Sequence, residues 1–546
     1  MKKEIKGLLL LFLVITLVKI IFSYFTPAPS AFSDNYIYIR TAWEFFHNGG
    51  LFVNGISSSP PLYSMLISIA YVFEDMENVF IAMKVINSIV SSLVVFPIYF
   101  LARDFLSSKK SRIVVVLSAL IVPHFLFPNF IMAENLFFPL VAFVIYFLYL
   151  SFKKQNSMFF VISGLLIGLS ILTKAIGYAL IPACFFIFLF LRGKFKNVIY
   201  HYLALGLLFI PYQYWKAVSN PKMPLGYSNS GTIGKVIANL TTNIASFINW
   251  NINYIGFIML ALGVVFVIVF LALIFTKKEK DFKTLFSVVV VVSFFTVLLA
   301  VNSSAFSVNG APYITWHGFT WYLGRPLGRY IASVLPFIFL VGFIGFQKRL
   351  ISYRKFKIFA LISIIVLAIS TYLTLSSLFP VNNSSLTLFG TLQLGLKYVF
   401  ADWSYFLIGL IFILLPLIAI FIYKKKKIVI GLVFFFLLVS CLLAYSIHLY
   451  NMESYWANND QVILGKWIDD NLEGIIVIDT RDCEWHSKED MNNYLCTGDD
   501  TRSSVVGMWV NNPVIVSDTP DGDYFVTIRD MNMELVKEVG KFKVYS

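Results

Sequence analysis

Apolar runs close to twenty residues long recur from residue 7 almost to residue 450, separated by short polar segments that are alternately rich and poor in lysine and arginine. A helix rises about 1.5 Å per residue, so about twenty residues cross the roughly 30 Å hydrocarbon layer, and each run predicts a membrane span. Thirteen are expected, at about 7–25, 79–101, 113–130, 132–151, 158–173, 176–191, 198–216, 252–275, 284–301, 329–346, 358–379, 403–423 and 428–448. The stretch 158–191 is too long for one span and short for two. Two short spans turning near Lys174 keep every later basic segment on one side of the membrane.

Two regions carry other periods. Between residues 26 and 78, Arg40, Glu44 and His47 recur at helical spacing, with Tyr38, Ala42, Phe45, Ile39, Trp43 and Phe46 forming a wide apolar side. This predicts a helix over Tyr36–His47 lying along the membrane surface, ended by Asn48-Gly49-Gly50. Pro60-Pro61-Leu62-Tyr63 opens a second apolar stretch running to about Phe73. Past residue 449 the pattern predicts a helix near Asp460–Asn471, then strands at Ile475–Ile478, Tyr524–Ile528 and the last residues. The fold class is therefore an all-α polytopic membrane protein over 1–448 with a small α/β domain over 449–546.

Charge fixes the orientation. The chain is 58% hydrophobic and 13% charged over 546 residues, with a net charge of +14. Residues 449–546 hold 8 Lys and Arg against 18 Asp and Glu, so the remainder carries all of the positive excess. Most of those basic residues sit in seven clusters, among them Lys2/Lys3/Lys6, Arg103/Lys109/Lys110/Arg112 and Lys424 to Lys427. The positive-inside rule makes these cytoplasmic, which accounts for the basicity without a nucleic-acid partner. An odd number of spans then gives a multi-pass plasma-membrane protein with its N-terminus inside and the C-terminal domain outside. The first span lacks a small-residue cleavage site and reads as an anchor, not a removed signal. Cys483 and Cys496, in the outside domain, are either a disulfide or two free thiols.

Carboxylates before residue 449 are so few that each can be weighed singly. Asp34 and Glu134 stand at the expected outer boundary among apolar neighbours, where a carboxylate needs a partner or takes a raised pKa. Asp34 is either a helix cap or a base or cation ligand, and Glu134 either a first-turn acid or a member of the same site. Arg325 and Arg329 lie four residues apart at the mouth of a span and, with Lys174, form either an anion site or a set of headgroup anchors. Lys19 and Lys84 are the charges at mid-span. His47, His124 and His317 have no metal-ligand spacing, and the tail has no nucleotide-binding glycine pattern, nucleophile elbow or P-loop.

At these residues the chain resembles the GT-C superfamily of membrane glycosyltransferases, in the branch of protein O-mannosyltransferases and the bacterial lipid A aminoarabinose transferase. Asp34, Tyr38, Ala42 and Gly49 match that family's first-loop pattern, and Pro60-Pro61-Leu62-Tyr63 its proline-led second helix. Glu134, Leu172-Thr173-Lys174 and Arg329-Tyr330 with Pro336 follow in the same order. The likeness covers roughly residues 1–350. A single Asp34 stands where many relatives carry paired acids, and the Trp-Trp-Asp motif of oligosaccharyltransferases is absent.

The resemblance implies a sugar donor on a polyprenyl phosphate, with its phosphate at Arg325, Arg329, Lys174 and Arg40 and with Tyr38, Tyr63 and Tyr330 lining the substrate space. Asp34, helped by Glu134, would deprotonate an acceptor hydroxyl of a glycan, lipid or protein, and the anomeric centre would invert. A divalent cation on Asp34 or Glu134 is left open. The rival readings are a lipid-linked saccharide transporter, which would show inverted repeats, and a glycolipid-binding relative without catalysis.

Overall fold

The computed structural model describes residues 2–27, 29, 33–51, 60–219, 244–305, 314–316, 319–321, 328–373, 384–401, 403–479, 481 and 504–546. Each expected span contains a helix, because a chain in hydrocarbon must satisfy its backbone groups internally. By length and apolarity among the described residues, six helices can cross a membrane: Glu4–Tyr24, Met76–Arg103, Glu134–Lys154, Lys280–Val301, Trp403–Ile422 and Lys426–Ser454. A seventh span is made if Ser108–Ala119 and Val122–Asn129, bent by 75°, are taken together. Of the other expected spans, Phe195–Ser219 and Tyr353–Leu373 are helices of 25 and 21 residues, Ser157–Thr173, Leu180–Phe190 and Leu335–Lys348 are shorter, and Gly263, with its positive φ, divides Ile244–Leu262 from Val264–Leu273. Thirteen is thus the count of apolar runs, and the structure does not establish it as the count of crossings.

The expected hairpin near Lys174 is present: Ser157–Thr173 is followed by a 3-10 turn over Ala175–Ala179 and by Leu180–Phe190. Gly164 lets Ser157–Thr173 pack against Phe195–Ser219, since a Cβ there would fall 2.2 Å from the His201 carbonyl oxygen. Leu10, Leu13 and Leu17 of the first helix are exposed, a face suited to lipid rather than water.

Over the bundle sits a C-terminal layer. Asn459 caps the helix Asp460–Asn471 by accepting from the Gln461 backbone N–H at 2.9 Å. Five strands follow in the spatial order Val514–Ser517, Ile476–Asp479, Tyr524–Thr527, Phe542–Tyr545, Leu535–Val539. The first three are parallel, with Ile476 beside both Val514 and Tyr524, and the last two run antiparallel. Leu464, Ile468, Ile478, Val506, Val526 and Phe542 form its core. Two described helices escaped the sequence reading: Thr387–Phe400, in what was expected to be an outer loop, and the short Val505–Met508 of the C-terminal layer.

The juxtamembrane helix runs Ser33–Asn48 and ends at Gly49 with φ +67°. Its polar side is covered in part: Arg40, expected to be a surface charge, is 1% exposed beneath the C-terminal domain, whereas Glu44 is half-buried and His47 exposed. The second apolar stretch forms a helix Leu62–Ile67 and a 3-10 turn Ser68–Val72.

Candidate active site

Two ion pairs converge on one tyrosine. Asp34 lies in the first turn of its helix, one residue past the start and not ahead of it as a cap, where the helix dipole favours a carboxylate. Its Oδ2 accepts from Arg329 Nη1 at 3.0 Å, joining residues 295 apart in the chain. The Asp34 side chain is 37% exposed and that of Arg329 18%, so the pair is reachable from outside.

Glu134 is the first residue of the helix Glu134–Lys154, also in the favourable half of a helix dipole, and its carboxylate is fully enclosed. Lys174 forms an ion pair with it. The lysine is aimed by the hairpin: it is the extended residue that ends Ser157–Thr173, with its N–H on the Ser170 carbonyl and its own carbonyl accepting from Gly177 N–H at 2.9 Å. Gly177 is required for this closure, because a Cβ would meet the backbone of Ser170 and Ile171 at 2.9 Å. Both cations approach Tyr330: Arg329 Cζ is 5.3 Å from its ring centroid and Lys174 Nζ 6.0 Å. Arg329, Lys174, Asp34 and Glu134 therefore form one cluster whose formal charges cancel.

The surroundings are braced by groups that sequence reasoning did not single out. Asn135 donates to the carbonyls of Phe127, Phe130 and Met132, holding the start of the Glu134 helix. Asn87 accepts from the Tyr63 hydroxyl at 3.0 Å and donates to Phe130 O. Burial raises the Tyr63 phenol well above its usual pKa, and Glu134 nearby adds to that, while the hydrogen bond to Asn87 works against it. The Tyr38 ring meets the Tyr63 ring edge-on at 5.1 Å. Both rings are buried, and the Tyr63 hydroxyl braces Asn87. No spacing rule reveals such asparagines, whose partners are backbone carbonyls of a broken helix.

Arg40 is not brought to the cluster. Its guanidinium donates to Val510 O at 2.9 Å and Asn512 O at 2.7 Å and stacks over Trp43, whose indole N–H donates to the Asn511 side chain at 3.0 Å. Its expected phosphate-binding role is replaced by a structural one, since both terminal nitrogens face backbone carbonyls of the C-terminal domain. Arg325, Cys483, Cys496 and His317 lie outside the described residues. Among the described residues no group of three or more His, Cys, Asp and Glu side chains is placed to hold a metal ion. Asp34 and Glu134, each engaged by a cation, are a poor ligand set for a hard divalent ion that takes about six oxygens.

Residues 58–215 match the family model described as dolichyl-phosphate-mannose-protein mannosyltransferase, a segment holding Tyr63, Glu134 and Lys174. The whole chain aligns with the crystal structure of ArnT from Cupriavidus metallidurans bound to undecaprenyl phosphate. The TM-score is 0.56 at 13% identity, over 99% of this chain and 98% of that one. This chain has the GT-C fold. The apo state of the same ArnT aligns at TM-score 0.54, also at 13% identity and over the same shares of the two chains. The oligosaccharyltransferase of Archaeoglobus fulgidus, at TM-score 0.40 and 13% identity over 93% of this chain and 64% of its own, adds nothing to the fold assignment. No curated protein sequence matches. Within the GT-C fold, the Glu134–Lys174 pair joins consecutive helices inside the matched segment, whereas Asp34 and Arg329, 295 residues apart, both lie outside it.

Proposed function

We propose that this protein moves a single sugar from a polyprenyl-phosphate donor to an acceptor hydroxyl at the outer face of the membrane, inverting the anomeric carbon. The observation that carries the reading is the Asp34–Arg329 pair, a carboxylate and a guanidinium in contact yet reachable, beside a second cation. Mannose is the sugar that the matched family description favours, and a glycan, lipid or protein supplies the hydroxyl.

The chemistry follows from exchanging partners. A donor phosphodiester offers oxygens that compete with Asp34 for the Arg329 fork and with Glu134 for Lys174. Engaging the phosphate frees the Asp34 carboxylate to accept the acceptor's hydroxyl proton. The hydroxyl oxygen then bonds to the anomeric carbon as the bond from that carbon to the phosphate oxygen breaks. The electron pair leaves on the phosphate, where Arg329 and Lys174 stabilise it. Glu134 holds Lys174 in position and is itself too enclosed to meet the acceptor.

The test is reconstitution with a polyprenyl-phosphate hexose and a lysate of acceptor glycans and proteins. Asp34→Asn is expected to lower transfer by about 10²–10⁴-fold, the range for a lost general base. Transfer that survives the substitution undiminished would overturn the assignment. Translocation of the lipid-linked sugar without transfer would favour a transporter.

A further inference from the structure

Away from the ion-pair cluster, a cavity of about 320 Å³ opens where the outer end of the first helix, the start of Met76–Ser92, the end of the last long helix and the C-terminal domain meet. Its walls include Thr26, Phe80, Lys84, Met452, Lys466 and Trp509, and it shares no residue with the cluster. Tyr24 and Phe25, also on its wall, are 61% and 64% exposed at the end of a helix whose outer face suits lipid, so the entrance faces the membrane.

Charge in this cavity is unbalanced. Lys84 is 4% exposed, and its ammonium donates to the Thr26 carbonyl at 2.6 Å. An ammonium carries three donors, and among the described residues no carboxylate pairs with this one. Glu77, on the same wall, is engaged by Lys466, which also stacks over Trp509. The wall therefore holds two cations and one anion. Arg329 and Lys174 each face a carboxylate and Arg40 two carbonyls, whereas Lys84 faces one carbonyl and an opening. The buried His448 ring adds no negative charge. A cation so placed within a span is costly to keep and marks a binding site more often than a structural need.

We infer that this cavity binds the anionic phosphate headgroup of a lipid that enters from the outer leaflet, with Lys84 as its main ligand and Lys466 at its rim. The volume matches about ten waters at roughly 30 Å³ each, enough for a phosphate and its attached polar group. The exposed aromatic rings at the entrance suit the chain–headgroup boundary. The site is independent of sugar transfer, so its test is a binding measurement.

Purified protein in an Arg329→Gln background, which removes the catalytic cation, is titrated with phosphatidylglycerol, with phosphatidylcholine and with a polyprenyl phosphate, and bound lipids are counted by native mass spectrometry. The parent is expected to hold one anionic lipid that Lys84→Gln binds at least tenfold more weakly. Ile81→Trp, which fills the cavity and keeps the charge, is expected to lose it as well and stands alone if Lys84→Gln does not fold. Loss seen with phosphatidylglycerol assigns the site to membrane phospholipid, and loss confined to polyprenyl phosphate assigns it to the carrier. Equal occupancy in parent and variants, or equal binding of phosphatidylcholine, overturns the inference.

Discussion

Glu134 and Lys174 illustrate how a buried charge depends on its partner. Lys174→Met leaves the carboxylate enclosed and uncompensated, which costs about 3–5 kcal/mol by analogy with broken buried pairs. Adding Glu134→Gln is expected to recover most of that loss, and denaturant unfolding in detergent of the single and double variants measures it. If the double variant is no more stable than the single one, the two residues are not coupled. Asp34, Glu134, Lys174 and Arg329 were legible in the sequence because acids are scarce there and the cytoplasmic clusters explain most bases. Arg40 was misread for the converse reason. Its acceptors, Val510 O and Asn512 O, lie 470 residues or more along the chain, and a helical wheel shows only the near neighbours.

At the scale of elements, the Asp34 helix is set by what packs on it. Arg40, Trp43 and the Tyr71 hydroxyl on Ile39 O fix its height, and Asp469 joins the two layers by accepting from Met76 N–H at 3.1 Å and Asn511 N–H at 2.7 Å. Arg40→Ala removes two charge-assisted hydrogen bonds, and a stability loss of about 3 kcal/mol is expected, together with a fall in turnover larger than any change in donor KM. Unchanged turnover would show that the helix holds Asp34 without this support. The C-terminal sheet has its own acid sensitivity. Burial alone would raise the Asp479 pKa, but hydrogen bonds from Arg481 and Thr527 outweigh it and hold the carboxyl below its ordinary range. Since the folded pKa is depressed, its stabilisation is present above about pH 4 and is lost as pH falls through the folded value. Intrinsic fluorescence against pH is expected to show this loss in wild type and to flatten in Asp479→Asn, which is less stable at neutral pH. Helix and strand positions were readable because their periods differ, as Asp460–Asn471 shows. Breaks such as that at Gly263 were not, because a uniformly apolar run has no phase to lose.

For the whole molecule, orientation rests on the basic clusters, which are proposed to face the cytoplasm. With Cys483→Ser and Cys496→Ser in place, a cysteine added at Ser546 is expected to react with a membrane-impermeant maleimide on intact cells, whereas one at Ser108, beside Lys109 and Lys110, is expected to react only after lysis. The reverse pattern would invert the topology and move Asp34 to the wrong compartment for a lipid-phosphate donor. The general architecture was legible because twenty-residue apolar runs admit few solutions, while the seating of the C-terminal layer on the Asp34 helix depends on contacts between the ends of the chain. That seating carries a genetic consequence. A frameshift or stop codon anywhere before the codon for Asn512 removes an acceptor of Arg40, so truncating alleles are expected to inactivate even when they spare every membrane-spanning helix. Pairs of weak alleles, one near codon 40 and one near codon 510, should behave as hits on a single unit.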